Sequence, residues 1–314
     1  MSQHSKNNYV ISADIGGTHI TAAVVDLEKK IIIEDTRTRI SVDSQGAATE
    51  ILENWSSALI QACQKFGSPA HQVALAMPGP FDYKNGISLI KDLHKYEAIY
   101  GLNIKSYLSE VLKIEAEDVL FRNDAEAFLQ GEVLAGAGTG FRKVLGITLG
   151  TGFGSALSFD GITKDLNLGS EPYQDSIADD YFSTRWFLRQ YYELTGLSVS
   201  GVSGLTSMVK HNPVVTDIFE EFTANLSLFL KHIIRAEKPD VIVIGGNIAK
   251  ASNLFLNGLI DQLAGYVENV KIRMALLGED AALMGRLLVL QPKPDVVSHL
   301  HQLRILISIP NHDQ

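Results

Sequence analysis

Cysteine is almost missing from this 314-residue chain, with Cys63 as its single example. One thiol cannot close an internal disulfide or build a cysteine-based structural zinc site, and the want of a disulfide framework points to the reducing cytoplasm. Long apolar runs are missing too. The run Leu287 to Leu290 is far too short to cross a bilayer, so no membrane association is expected. The polar start, Met1 to Asn8, has no apolar stretch of the secretory type. Positive charge is in deficit: 27 Lys+Arg against 36 Asp+Glu leave a formal net charge of -9. That is the wrong balance for a nucleic-acid footprint. It still permits an anionic nucleotide, because backbone dipoles and Mg²⁺ offset charge locally.

What is present suits a globular protein. Hydrophobic residues make up 46% and charged residues 20%, and at about 150 residues per domain the length suggests two domains. Tyr9 to Ala13, Ile20 to Val25 and Ile31 to Arg39 read as a strand meander, with a turn at Asp14-Ile15-Gly16-Gly17-Thr18. Thr49 to Phe66 has helical spacing, with Trp55 on its apolar face. Gln72 to Ala76 and Val119 to Phe121 are short strands, ending at Met77-Pro78-Gly79-Pro80 and at Arg122-Asn123-Asp124; Ala125 to Ala135 is helical. The pattern then restarts, with strands at Val144 to Leu149 and Ser155 to Phe159 around the turn Gly150-Thr151-Gly152-Phe153-Gly154. Strand, Gly/Thr turn, strand, Asp thus occurs twice, which predicts two related domains facing each other. Helices are expected at Tyr181 to Tyr192, with Trp186 in the core, at Val215 to Ala236 and at Glu279 to Leu290, and a buried strand at Val241 to Ile244 before Gly245-Gly246-Asn247.

Four constellations carry chemistry. At Asp14, Gly16, Gly17 and Thr18, glycines bring the backbone close to a ligand, N–H groups and a hydroxyl suit phosphate oxygens, and Asp14 suits Mg²⁺; a plain hairpin fits equally well. Gly150, Thr151, Gly152 and Gly154 repeat the chemistry, and two such turns in matched places can grip a polyphosphate from both sides. Gly245, Gly246 and Asn247 follow a buried strand, where a flat ligand lies or a helix is capped. Asp124, after Asn123, either takes a proton from an attacking hydroxyl or caps the following helix. His94, His211 and His232 lack ligand spacing and read as solvated or capping.

In this order, from Tyr9 to Arg286, the four sets resemble the ROK family of sugar kinases and repressors, which includes bacterial glucokinases. Asp14 to Thr18 and Leu149 to Gly152 look like its two phosphate loops, Pro78 to Asp82 like its Pro-Gly-Pro loop near the sugar, Asn123-Asp124-Ala125 like its catalytic motif, and Pro239 to Gly246 like its adenosine-side strand and turn. The resemblance implies a duplicated actin-like (ribonuclease H-like) α/β fold with a cleft between two domains. The domains would be 8–122 with the returning segment 279–314, and 123–278. It implies an ATP- and Mg²⁺-dependent kinase acting on a hexose or N-acetylhexosamine, with Asp124 as base, Pro78, Gly79, Asn123, Glu171, Gln174 and Asp179 at the sugar, and a homodimer as a compatible assembly. The family's zinc-binding stretch falls at Gly169 to Ser183, which has no Cys and no His, so no zinc is expected. Gln174 stands where the family has a sugar-contacting His, and Asp179 where it has a Glu. The repressor alternative lacks room for a DNA-binding module before Tyr9. A sugar-binding regulator without strong catalysis is the other alternative.

Overall fold

The computed structural model describes residues 8–69, 71–92, 95–265 and 270–285. Two five-stranded mixed sheets organise them, and their wiring is the same. In the first, β1 (Tyr9–Ile15), β2 (His19–Asp26) and β3 (Ile31–Ser41) form an antiparallel meander. After helix α1 (Ala48–Phe66), β4 (Val73–Met77) joins β1 in parallel. A small hairpin, β5 (Phe81–Asp82) with β6 (Ile87–Ser88), and helix α2 (Ile104–Leu112) lead to β7 (Val119–Asn123), parallel to β4. The order is β3-β2-β1-β4-β7.

Helix α3 (Asp124–Ala135) leads into the second sheet, where β8 (Lys143–Leu149), β9 (Phe153–Phe159) and β10 (Ile162–Asp165) repeat the meander. A two-stranded ribbon follows, β11 (Pro172–Tyr173) with β12 (Ser176–Ile177), then helices α4 (Asp179–Phe182), α5 (Thr184–Thr195), α6 (Val202–Met208) and α7 (Pro213–Glu237). Strand β13 (Val241–Gly245) joins β8 in parallel; helix α8 (Leu256–Leu263), β14 (Lys271–Met274) and helix α9 (Asp280–Met284) complete the described chain. The order β10-β9-β8-β13-β14 copies the first sheet. The duplication read from the two Gly/Thr turns is therefore a duplication of topology.

Local chemistry explains the element ends. Helix α1 stops at Gly67, whose left-handed φ of 77° turns its N–H back onto the carbonyls of Cys63 and Gln64. Trp55 lies fully buried beneath α1, and Trp186 is buried in the second core among Phe187, Phe219 and Phe222. The stretch expected as one helix from Tyr181 to Tyr192 is broken at Ser183, which is extended and buried and separates α4 from α5. Of the expected last helix, 279–285 are described and Asp280–Met284 are helical; residues 286–314 lie outside the described residues, as does His94. His211 and His232 are exposed.

The halves meet through α3 and α9. Helix α3 packs on β8, β9 and β10; α9 packs on β1, β2 and β3; and the two helices pack on each other. They approach too closely for side chains. A Cβ on Gly131 would lie 2.1 Å from Ala281 O, and one on Gly285 would lie 1.7 Å from Ala127 O. Glu132, fully buried, fixes the same junction: its carboxylate accepts N–H bonds from Ala137 at 2.7 Å, Leu276 at 3.1 Å and Leu277 at 2.8 Å. Arg37 pairs with Asp280 at 2.9 Å and Arg39 with Glu279 at 3.1 Å, tying β3 to the start of α9.

Candidate active site

Strand register brings the first-half motifs to one edge. Asp14 pairs with Ala76 across β1 and β4, and Met77 with Asn123 across β4 and β7. The Gly16-Gly17-Thr18 turn, the Pro78-Gly79 loop and Asn123-Asp124 therefore leave the same carboxyl edge of three parallel strands, where ligands of α/β sheets gather. In the second sheet Thr148 pairs with Gly245, so the Gly150-Thr151-Gly152 turn and Gly246-Asn247 share the equivalent edge. Gly246 has φ 92° and its Cα lies against Leu149, an approach that leaves no room for a side chain.

Asn123, not Asp124, is the α3 cap: its Oδ1 accepts the Glu126 N–H at 3.1 Å. Its Nδ2 donates to Tyr83 Oη at 3.3 Å, and Tyr83 donates to Met77 O at 3.1 Å, which fastens the Pro78-Gly79 loop to the α3 terminus. Burial pushes the Tyr83 hydroxyl well above its ordinary pKa against the pull of Asn123, so it remains a donor. Asp124 takes the next position and accepts the Ala125 N–H at 2.9 Å. Burial pushes its carboxyl above the ordinary value, opposed by that N–H and by Lys95. The residue is nevertheless exposed. Water reaches it, so its upward displacement is smaller than a closed pocket would cause.

The second meander supplies the opposite wall. A Cβ on Gly154 would lie 2.9 Å from Ala125 Cβ, so α3 starts against the β8–β9 turn. Asp165 sits opposite Ala156 at the end of β10 and accepts the Asn167 N–H at 2.7 Å. Burial, with a smaller contribution from the Asp124 charge, pushes its carboxyl up. At the first turn, Tyr96 donates a short hydrogen bond to Gly16 O, and the Thr18 hydroxyl meets His19 Nδ1 at 3.1 Å. Burial and then the Arg39 charge hold the His19 imidazole below its ordinary value.

The second Gly turn is held from behind. Thr184 donates both its N–H (2.7 Å) and its hydroxyl (2.9 Å) to Gly150 O. Asp179 Oδ1 accepts the Phe153 N–H at 2.5 Å, and its Oδ2 bonds Arg185. Between this turn and Asn247 lies a cavity of about 530 Å³ bordered by Thr151, Thr184, Ser203, Lys250 and Leu254, within the usual size range of small-ligand sites. Gly150, Thr151, Gly152, Gly246 and Asn247 are thus brought together. Glu171 and Gln174 are exposed on the β11–β12 ribbon, and Gln174 donates to Asn225 of α7 at 2.9 Å.

Sequence reading missed Tyr83, Lys95, Tyr96, Asp165, Thr184 and Arg185. Tyr83 alone had a local signal, directly after the Pro-Gly-Pro-Phe-Asp stretch; the others reach the site through long-range packing. For metals, the described residues contain no group of three or more His, Cys, Asp or Glu placed to hold one. Asp14 is the penultimate residue of β1, beside the first turn. A single hard carboxylate is what Mg²⁺ takes when phosphates and water supply its other oxygens, so the donor set fits Mg²⁺.

The ROK family profile matches residues 10–165. The chain is 23% identical over 318 residues to the glucokinase of Thermotoga maritima, covering 88% of this chain and 95% of that one. Its fold superposes on a ROK family glucokinase from Streptomyces griseus in complex with glucose and AMPPNP (TM-score 0.72, 22% identity, 88% of this chain and 97% of that chain). It also superposes on a ROK family transcriptional regulator, a homolog of E. coli MLC protein (TM-score 0.76, 15% identity, 90% and 78%). The duplicated sheets are the actin-like, ribonuclease H-like fold. The chain belongs to the ROK family.

Proposed function

We propose that the chain is an ATP-dependent sugar kinase that transfers the γ-phosphate to a hexose hydroxyl. Kinases and a regulator share this fold, so the site must carry the reading. One observation does: the Asp124 carboxylate stands at the α3 terminus beside Lys95, between the Pro78-Gly79 loop and the second Gly turn. We assign 8–122 with α9 to one lobe and 123–278 to the other, with a hexose or N-acetylhexosamine between them.

The chain's own residues then divide the work. The cavity between Thr151 and Asn247 takes the nucleoside, and the backbone N–H groups of the two Gly turns hold the phosphates. Asn123 and the Pro78-Gly79 loop position the sugar. Asp124 accepts the proton of the sugar hydroxyl as its oxygen bonds the γ-phosphorus and the bond to ADP breaks. Asp14 would hold Mg²⁺, which when bound neutralises charge on the phosphates. Asp179 is already engaged with Phe153 and Arg185 and Gln174 with Asn225, so their share in sugar contact is smaller than the resemblance implies.

The test is ADP release from Mg-ATP with glucose, fructose, mannose, N-acetylglucosamine and N-acetylmannosamine. Turnover is expected with at least one sugar, and Asp124→Asn should lower kcat by about 10²–10⁴-fold while sugar affinity changes little. Sugar binding without any turnover in the wild type would instead favour a regulator.

A further inference from the structure

Phosphoryl transfer spreads negative charge over the oxygens of the moving group, and a cation fixed beside the phosphate site stabilises it. Arg185 stands in such a place. It is the second residue of α5, whose first residue, Thr184, donates twice to Gly150 O. Its Nη1 points at Thr151 O at 3.4 Å, and its Nη2 bonds Asp179, whose other oxygen holds the Phe153 N–H. One carboxylate thus fastens both the turn and the guanidinium. The Arg185 side chain is 59% exposed, so it is open to a ligand rather than filling a core.

We propose that Arg185 binds the terminal phosphate of the nucleotide, a role that rests on the kinase reading above. The bond to Thr151 O is long and its acceptor neutral, so an anionic phosphate oxygen at the turn displaces it. A guanidinium has five N–H donors, and the two bonds named use one each. Asp179 is the counter-ion that keeps the group at the turn before nucleotide arrives; Asp180, 3.8 Å away, is a weaker second one. A purely structural Arg185–Asp179 pair at this exposure would contribute little to stability and would not distinguish one nucleotide from another.

That distinction is the test. Binding of AMP, ADP and ATP (with Mg²⁺) is measured by calorimetry on the wild type, Arg185→Gln and Arg185→Lys, after thermal melts establish that each is folded. Arg185→Gln should weaken ATP about tenfold to a hundredfold, the scale of a charge-assisted contact, and leave AMP within about twofold. Arg185→Lys should recover most of the ATP affinity. The inference is overturned if Arg185→Gln changes AMP and ATP by the same factor, or changes neither while the wild type binds ATP. A folded wild type that binds no nucleotide would instead overturn the kinase reading, and this inference with it.

Discussion

Replacing Gly131 by Ala puts one methyl group where the two halves meet, and its consequence follows from geometry. The new Cβ would stand 2.1 Å from Ala281 O, 2.8 Å from Ala281 C and 2.9 Å from Ala281 Cα. A relaxed carbon–oxygen contact is about 3.3 Å, so α9 would have to retreat by roughly 1 Å. The obstacle is backbone, and no side-chain rotation relieves it. Overpacking of this kind costs about 1–3 kcal/mol. Ala gains about 1 kcal/mol over Gly in a helix interior. The net is a loss of up to about 2 kcal/mol in urea unfolding. Gly204, in α6, is the control: a Cβ there meets only Val199 Cβ at 3.7 Å, and Gly204→Ala should gain up to about 1 kcal/mol. Because α3 carries Asn123 and Asp124 at its other end, Gly131→Ala should also lower kcat. Gly131→Ala as stable as Gly204→Ala would refute the reasoning.

Glu132→Ala should destabilise by about 3 kcal/mol or more, since it strands three N–H groups at about 1–3 kcal/mol each, while Glu132→Gln, which keeps an acceptor, should lose much less; equal unfolding midpoints would contradict this. A general base works deprotonated, and burial raises the Asp124 pKa, so kcat/KM should fall on acidification with a midpoint above the ordinary Asp value of about 4; a limb centred lower would contradict the assignment. The same shift has a stability consequence. The folded state holds this proton more tightly than the unfolded one, so the stabilisation it brings is complete below the unfolded pKa and lost as pH rises through the folded pKa. At neutral pH Asp124→Asn should therefore melt no lower than the wild type, and a clear drop in melting temperature would count against the burial argument.

Much of the fold was legible because its signals are local. Short apolar runs in Tyr9 to Ala13 and Val144 to Leu149, with Gly/Thr turns after them, report strand and turn over a few residues each. Helix α2, helix α8 and strand β14 were not read. All three are short, and β14 takes its register from β13, with Lys271 opposite Val241. The break at Ser183 was hidden for a similar reason: Tyr181 to Tyr192 has continuous helical spacing, and the chain bends because Thr184 turns to bond Gly150 O, 34 residues earlier.

The sequence by itself determined the repeated strand, Gly/Thr turn and strand and the Asn123-Asp124 pair, because backbone conformation and turn chemistry are set by neighbouring residues. Only the tertiary structure decided what surrounds them. It gave the α3 cap to Asn123 and left Asp124 exposed beside it, set Tyr83 behind the Pro78-Gly79 loop, took Asp179 and Gln174 into other bonds, and brought Arg185 to the second turn. The physical reason is that a side chain's partner depends on which strands share a sheet edge and how closely α3 and α9 approach. Those are properties of packing between distant segments, which no local window of residues contains.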